Sequence, residues 1–212
     1  MYHGNGGFGQ SLGGIMGVGE PATSVVEAAY QWFSLPRIAV ETDLPRGTYD
    51  FIASGPNRGA LKDEVKRKFG VVAHVEARET DVWSLQVKNP DILKPHISSG
   101  QNHVRRGDIV LFNASSANLA YLLENMMRER PILDRTGFTD EPVDRTKPAG
   151  RPTTIRRPSP KQTFDIRLKW DDGAEGQPHN VENLKTALLE QLGWELVPTR
   201  ETIDVLVVEK AP

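Results

Sequence analysis

The chain has 212 residues, of which 38% are hydrophobic and 25% are charged, a composition typical of a globular protein with a buried core. Its formal net charge of -2 argues against electrostatic binding of nucleic acid by the whole chain, and the absence of cysteine excludes disulfides, thiolate metal sites and cysteine nucleophiles. No stretch reaches the roughly 20 apolar residues that span a bilayer. The first residues lack the basic and apolar regions of a secretory signal, so either the protein is cytoplasmic or a signal or upstream domain is missing from this chain.

Residues 1–21 are rich in glycine, which loses more conformational entropy on ordering than any other residue. This segment is predicted to be a mobile arm that a partner chain holds, with Tyr2 and Phe8 as candidate contacts. The alternative is an arm without a biological partner. The string GNGGFG at residues 4–9 only loosely resembles a nucleotide-binding loop, because it neither follows a predicted strand nor opens a helix.

Residues 22–100 are predicted to form a first α+β unit. Its elements, in chain order, are a helix from Ser24 that Pro36 ends, strands at 37–42 and 49–54, a helix at about 60–69 that Gly70 ends, and strands at about 71–78 and 82–88. Ser24 and Glu27 have the spacing of a capping box at the start of the first helix. The polar residues 79–81 predict a turn between the last two strands, which would then form a hairpin.

Residues 101–137 are predicted to form a short β-α-β unit, and residues 163–212 a second β-α-β-β unit. The elements of the short unit are a strand at 108–113, a helix capped by Ser115 or Ser116, a strand at 131–133 and a turn at 134–137. The elements of the last unit are a strand at 163–170, a helix capped by Asn180 and ended by Gly193, and strands at 194–197 and 203–209. The alternation of Phe164, Ile166 and Leu168 with charged residues indicates a half-buried strand.

Residues 138–162 break this pattern. They contain five prolines, and between residues 145 and 161 every charged side chain is basic: Arg145, Lys147, Arg151, Arg156, Arg157 and Lys161. This composition predicts an extended, solvated excursion from the core. Its basic side chains are candidate contacts for an acidic protein surface or an anionic membrane surface, and an ordinary linker is the alternative.

Two segments of the chain resemble each other. Residues 49–52 align with residues 164–167, and Arg-Glu-Thr recurs at the same place in both segments, at 78–80 and at 200–202. The sequence therefore predicts an α+β fold of duplicated β-α-β-β units, with mostly antiparallel sheets and with helices packed on one face. The alternative is that two similar patterns arose independently.

Few residues have the type and spacing of a catalytic or binding site, and no catalytic, cofactor-binding or metal site is predicted. Asp134, in the string Asp-Arg-Thr-Gly, is either an acid–base carboxylate or, as we expect, part of a tight turn. Asp50 and Asp165 occupy equivalent positions of the repeat, which favours a shared structural role over catalysis.

Metal sites are also not expected from the remaining polar residues. His96 and His103 lie in a polar loop without a third ligand, so they are interpreted as surface histidines. The acidic loop with Asp171, Asp172 and Glu175 lacks the ligand pattern of a calcium site, which favours a solvated turn. The tryptophans are predicted to lie in the core, except Trp32, which is expected nearer to the surface.

Several strings of the sequence resemble a bacterial family of unknown function that is called the soil-associated protein family. These strings are LDRTGFT, FDIRLKW and LKTALLEQLGWELVPTRETIDVLVVEKA, with VVEAAYQWF, LPRGTYDFIASGP and FGVVAHVEARETDVWSLQV upstream. The resemblance covers roughly residues 22–137 and 163–211. The glycine-rich arm and the basic, proline-rich excursion depart from the family pattern, and the excursion is therefore interpreted as an insertion.

The resemblance implies an extracytoplasmic setting, periplasmic or at the cell surface, because members commonly carry signal peptides or follow membrane segments. The family has no established activity, so no catalytic residue is implied. We therefore expect a non-catalytic interaction or assembly subunit that contacts other proteins through its arms, without a cofactor and without nucleic acid. The alternatives are a small-molecule or glycan-binding module and a hydrolase in which Asp134 and Asp165 converge.

Overall fold

A computed structural model of the chain describes residues 7–11, 14–32, 34–54, 59–138 and 162–212. It has an α+β fold, as the sequence predicts. The strands of this part are β1 (Gly7–Ser11), β2 (Gly14–Pro21), β3 (Ile38–Val40), β4 (Thr48–Ser54), β5 (Val71–Val87), β6 (His103–Arg105), β7 (Asp108–Ala114), β8 (Ile132–Asp134), β9 (Phe164–Lys169) and β10 (Trp194–Lys210). The helices are α1 (Ala22–Tyr30), α2 (Gly59–Phe69), α3 (Ser116–Met127) and α4 (Val181–Ala187), with a 3-10 turn at Leu35–Arg37 and a π-helical turn at Leu188–Leu192 that continues α4.

The strands form three sheets. Two have three strands, in the orders β1-β2-β4 and β6-β7-β9, and all of their neighbouring strands are antiparallel. The third sheet has the order β3-β10-β5-β8, in which β3 runs parallel to β10 and β8 runs parallel to β5.

The chain divides into two compact units that are each discontinuous in sequence. Of the described residues, the first unit comprises those up to residue 78 and residues 203–212, and the second comprises residues 79–138 and 162–202. Each unit combines separate segments because β5 and β10 both run from one unit into the other. The units predicted from the sequence are each continuous, because a pattern along the chain carries no information on which distant segments pack together.

The core of the first unit lies between its sheet and the two helices α1 and α2. Ile15 of β2, Val26 of α1 and Val65 of α2 are almost fully buried in one cluster. Trp32 belongs to the same cluster, so the expectation that it lies near the surface is wrong. Its indole N–H donates to the Arg37 carbonyl at 3.0 Å, which allows this large side chain to be buried without an unpaired donor.

The core of the second unit confirms the predicted alternation in β9. Phe164, Ile166 and Leu168 are buried, whereas the intervening Arg167 is exposed. Phe164 packs edge-on against Trp194 at a ring distance of 5.4 Å. Burial of one such side chain contributes about 1.5–3 kcal/mol, so this face fixes the register of β9.

The two predicted hairpins at the Arg-Glu-Thr strings are wrong. Residues 71–87 and residues 194–210 each form a single long strand without a turn. Neither string contains a glycine or another residue with positive φ, and their charged side chains have partners: Arg200 lies 3.5 Å from Glu79, and Arg135 pairs with Glu201. Polar residues in these stretches therefore indicate an exposed part of a strand rather than a turn.

The glycine-rich segment is also different from the prediction. Residues 7–11 and 14–21 are not an arm but form the strands β1 and β2, and β2 pairs with β4 of the same chain. The hydrogen bonds of this sheet offset the entropy that glycine loses on ordering. Residues 1–6 lie outside the described part.

Helix ends agree with the sequence where a local signal is strong. The side chains of Ser115 and Asn180 cap α3 and α4, and Gly193 ends the continuation of α4 with a φ of 72°. The capping box predicted for α1 is wrong, because Pro21 precedes the first helical residue and Ser24 lies inside the helix.

Candidate interaction surface

Three apolar side chains are exposed on the outer side of the sheet of the first unit. Met16 and Val18 of β2 are 49% and 53% exposed, and Ile52 of β4 is 80% exposed. Met16 and Ile52 are direct partners in the antiparallel register, so their side chains are neighbours. We call Met16, Val18 and Ile52 the apolar face.

Two glycines of β1 are strand partners of residues in the apolar face. Gly7 pairs with Val18 and Gly9 pairs with Met16, so these two glycines occupy the same side of the sheet. Because glycine has no side chain, the apolar face borders on bare backbone at both positions.

A bulge in β2 lies directly beside the apolar face. The register of β2 with β4 shifts between Gly17 and Glu20, and Gly19 within the shift has a φ of 68°. The Asp50 carboxylate accepts a hydrogen bond from the Gly19 backbone N–H at 2.7 Å. This contact satisfies a donor that the bulge removes from the strand ladder.

The second unit repeats this arrangement in β7 and β9. The register shifts between Leu111 and Ala114, and Asn113 within the shift has a φ of 51°. Oδ1 of Asp165 accepts a hydrogen bond from the Asn113 backbone N–H at 3.1 Å. Asp50 and Asp165 therefore have the shared structural role that the sequence predicts, since each holds the bulge of the neighbouring strand.

Aligning the two bulges assigns equivalent positions on the two sheets. The equivalent pairs are Val18 and Phe112, Met16 and Val110, and Ile52 and Arg167. Phe112 and Val110 are only partly exposed, in contrast to the apolar face. The outer side of the sheet β6-β7-β9 is therefore covered to a larger extent than that of the sheet β1-β2-β4.

Residues 96–102 provide this cover in the second unit. The Ser98 hydroxyl donates to Oδ2 of Asp165 at 2.5 Å, and the Asn102 side chain accepts from the Phe112 backbone N–H at 2.8 Å. Gly100 lies so close to the Phe112 ring that a Cβ atom would collide with it. The covering segment is thus an extended peptide with a hydroxyl on the carboxylate and a glycine on the aromatic ring.

These contacts change the acidity of Asp165. The hydrogen bond from the Ser98 hydroxyl is the main cause that lowers the pKa of Asp165 below its ordinary value. Partial burial raises the pKa, but the Asn113 N–H and the nearby His96 and Arg167 add to the lowering. The carboxylate is therefore held ionised as an acceptor.

A second carboxylate, Asp172, lies buried before α4. His179 Nδ1 is 2.5 Å from its Oδ2, and the Asn180 backbone N–H donates to its Oδ1 at 2.8 Å. The Arg106 guanidinium donates to the backbone oxygens of Asp172 at 2.6 Å and of Pro178 at 3.0 Å. These bonds fix the loop between β9 and α4.

The interpretation of this acidic loop as a solvated turn is wrong for Asp172, which is only 4% exposed. Burial raises the pKa of Asp172, but the hydrogen bonds from His179 and Asn180 outweigh this effect, so the pKa lies below its ordinary value. Asp171 and Glu175 remain exposed. A carboxylate that orients a histidine also occurs in hydrolase triads, but here its contacts are those of a loop anchor.

Asp134 belongs to a turn at the end of β8. Its carboxylate accepts hydrogen bonds from the hydroxyls of Ser116 and Thr136, both at 2.7 Å, and from the Thr136 backbone N–H at 3.0 Å. Asp134 and Asp165 thus bond to different groups. Their contacts are those of a turn and of a bulge, in keeping with the preferred structural reading of Asp134.

His96 and His103 each lie near one carboxylate. His96 Nε2 lies 3.7 Å from Asp165, and His103 Nε2 lies 3.3 Å from Asp108. Within the described ranges, no group of three His, Asp or Glu side chains converges as a metal ion would require.

A groove in the first unit lies where α2 and β10 end. It has a volume of about 500 Å³ and is lined by Lys66, Arg67 and Lys210 among others. Arg67 is already paired with Glu64 at 2.5 Å. The groove has a basic rim, but no polar side chain is buried in it.

Most of the predicted partner contacts lie outside the described residues. These are Tyr2 and the basic residues Arg145, Lys147, Arg151, Arg156, Arg157 and Lys161. Phe8 is part of β1, opposite Gly17. The sequence analysis missed the apolar face, although Ile52 stands where the aligned segment has Arg167, and this contrast is the signal that could have revealed it.

None of the helices in the described part of the chain has the length and apolarity that crossing a bilayer requires.

The fold and the exposed face define an α+β protein of two compact units with a potential contact surface on one sheet. Residues 33–142 and 157–211 match the protein family described as "Protein of unknown function (DUF3738)". Because these residues make up more than half of the chain, the chain belongs to this family. No curated protein and no solved structure matches the chain.

Proposed function

We propose that this chain is a non-catalytic protein-interaction or assembly subunit. The observation that carries the proposal is the apolar face, where Met16, Val18 and Ile52 are exposed together. Adjacent exposed apolar side chains are more typical of a contact site than single ones. Burial against a partner would stabilise the complex by about 25 cal/mol for each Å² of apolar surface removed from water.

The two alternative functions have less support. A hydrolase would need free carboxylates that converge, whereas Asp134 and Asp165 are hydrogen-bonded to different groups. A small-molecule site would need buried polar groups, whereas the groove beside Lys66 and Lys210 presents flexible basic side chains.

The experiment compares the chain with an Ile52→Arg variant, which carries the residue that the second unit has at the equivalent position. Light scattering after size-exclusion chromatography measures the mass of each protein, alone and after addition of extract from the native cells. We expect the wild type to join a larger species and the variant to lose it. Val75→Arg is the matched control, because it adds the same charge at another exposed apolar position.

The proposal fails if Ile52→Arg and the wild type give the same masses under all conditions. It also fails if Val75→Arg and Ile52→Arg lose the complex equally, since added charge alone would then explain the loss.

The basic residues between 145 and 161 supply a second contact in this proposal, to an acidic protein or an anionic membrane surface. Support comes from their sequence, in which six basic residues occur without an acid. We expect the chain to sediment with vesicles that contain phosphatidylserine but not with phosphatidylcholine vesicles, and to be released by salt. A variant with all six replaced by glutamine should not sediment, and equal sedimentation would exclude the membrane contact.

We further propose that the interaction takes place outside the cytoplasm, in a soil bacterium, and that residues 138–162 are an insertion into the family pattern. Support is the resemblance described above, together with the family match, which leaves residues 143–156 unmatched. A fusion of the natural gene product to alkaline phosphatase tests the location. Phosphatase activity in intact cells is expected, and an inactive fusion protein would contradict export.

We also propose that the two units arose by duplication. Support comes from the equivalent bulges and from Asp50 and Asp165, which bond to them in the same way. An alignment of relatives tests this: an aspartate that is absent from both positions in most relatives would contradict the duplication.

A further inference from the structure

We propose that the apolar face binds an extended peptide segment of a partner protein, and that a serine or threonine hydroxyl of this segment bonds to the Asp50 carboxylate. The inference rests on the proposed interaction function and adds the chemical class of the partner. It comes from the equivalence of the two sheets, one of which carries such a segment within the chain.

Residues 96–102 show how a sheet of this kind binds an extended segment. Ser98 donates its hydroxyl to Asp165 Oδ2 at 2.5 Å, while Oδ1 of the same carboxylate holds the bulge through Asn113. The segment is also attached by its backbone, since the His96 N–H donates to the Thr163 carbonyl at 2.9 Å. One carboxylate therefore serves both the bulge and the covering peptide.

Asp50 makes only the first of these two contacts. It accepts from the Gly19 N–H at 2.7 Å, and no other described residue bonds to its carboxylate. The second oxygen of Asp50 is therefore available to an incoming donor. A charged acceptor of this kind binds a hydroxyl more strongly than a neutral one does.

The side chains around Asp50 indicate which other residues the bound peptide contains. In the second unit Gly100, two residues after Ser98, lies against the Phe112 ring, which leaves no room for a Cβ atom. The equivalent residue of the first unit is Val18, which is smaller and 53% exposed. The position two residues after the hydroxyl can therefore hold an apolar side chain in contact with Val18.

Ile52 favours an apolar neighbour on the other side of the hydroxyl. It stands at the position of Arg167 and is 80% exposed. A peptide that binds here would bring an apolar residue onto Ile52 and Met16, and burial of these side chains would supply most of the affinity. Because alternate side chains of an extended peptide face the same side, the pattern expected of the partner is an apolar residue, any residue, a serine or threonine, any residue, and a second apolar residue.

The test uses a fluorescent synthetic peptide with the sequence of residues 94–102 in which His96→Leu and Gly100→Leu introduce the two apolar residues. Fluorescence anisotropy measures its binding to the full chain. We expect saturable binding, a loss of about two- to tenfold when the peptide carries Ser98→Ala, and a similar loss with the protein variant Asp50→Asn. The Ile52→Arg variant should weaken binding as well.

Asp165→Asn is the matched control, because Asp165 occupies the equivalent position of the other unit. If it weakens binding while Asp50→Asn does not, the peptide has displaced residues 96–102 and the proposal is wrong. A photoreactive group in the peptide should attach to residues 14–18 or 48–54, and attachment elsewhere also overturns the proposal. Circular dichroism verifies that each variant is folded.

The outcome separates this inference from the function on which it rests. If the peptide does not bind but Ile52→Arg still removes the larger species in native extract, the interaction function stands and the peptide class is wrong. If neither effect is seen, both proposals fail.

Discussion

Asp165 accepts the backbone N–H of Asn113 at the one point where β7 leaves its regular register with β9. Asp50 bonds to the bulge of β2 in the same way, so a single aspartate beside a left-handed residue occurs in both units. The difference lies in the second carboxylate oxygen, which Ser98 occupies on Asp165. The two units therefore share the geometry of the bulge but differ in whether a further segment of the chain covers the sheet.

The first prediction concerns the backbone of the bulge at Asn113, where φ is 51°. A β-branched residue is strained at this angle, so Asn113→Val is expected to lower the free energy of unfolding by about 1–2 kcal/mol. Asn113→Gly is the control and should leave it unchanged or raise it slightly. Urea unfolding measures both variants, and equal stability of the two would contradict a left-handed residue here.

The second prediction concerns the acid dependence of stability. The pKa of Asp165 is lowered from its ordinary value of 3.8, mainly by the Ser98 hydroxyl. A carboxylate with a lowered folded-state pKa stabilises the fold fully above its unfolded-state pKa, and this contribution is lost as the pH falls through the folded-state pKa. We therefore expect Asp165→Asn to be less stable than the wild type at neutral pH and to lose less stability on acidification below about pH 4.

Thermal unfolding between about pH 6 and about pH 2 measures this difference. Ser98→Ala should have an intermediate effect, because it removes the main cause of the shift but keeps the charge. Parallel pH profiles for the wild type and Asp165→Asn would show that the carboxylate does not contribute in this way.

The third prediction compares two glycines that end helices. Gly70 and Gly193 both have positive φ, at 66° and 72°, but only Gly193 lies against another backbone, that of Asn89. Gly70→Ala is expected to cost about 1–2 kcal/mol for the left-handed conformation. Gly193→Ala should cost at least about 1 kcal/mol more, because its methyl group collides with the Asn89 carbonyl oxygen.

Urea unfolding of the two alanine variants gives both values under the same conditions. Similar costs would mean that the close approach of Gly193 to Asn89 does not constrain this part of the chain.

The fourth prediction distinguishes a continuous β5 from the hairpin that the sequence suggests. Proline at Thr80 removes a backbone donor and fixes φ away from extended values, so Thr80→Pro should destabilise the protein by more than about 1 kcal/mol. Thr80→Val, which suits a strand, should be nearly neutral. A hairpin turn at this position would instead tolerate proline, and thermal unfolding of both variants decides between the two structures.

Local signals predict the starts of α3 and α4, although not the start of α1. A cap depends on a side chain and a backbone group three residues apart, as in Ser115 with Asn118 and Asn180 with Asn183. The inward positions of β9 could also be predicted from the sequence, because alternation along six residues indicates burial on one side. The strands of the glycine-rich segment could not be predicted locally, because β2 depends on pairing with the distant strand β4.

The contact surface was predictable only in part. The partner contacts predicted from the sequence lie in segments expected to be irregular, whereas the apolar face lies on a sheet. Val18 and Phe112 belong to strands of the same kind, and nothing within either strand indicates that only one is covered. Exposure depends on residues 96–102, which reach one sheet through contacts that no local pattern encodes.

The α+β class, the starts of α3 and α4, the end of the α4 continuation and the buried side of β9 follow from the sequence, because these features depend on interactions within a few residues of the chain. That residues 78–81 and 200–202 continue a strand follows only from the folded structure. A charged, extended stretch is stable when a neighbouring strand supplies hydrogen bonds and counter-charges, as Glu79 does for Arg200. The same dependence on distant segments explains why the exposure of Met16 and Val18 became visible only in the folded chain.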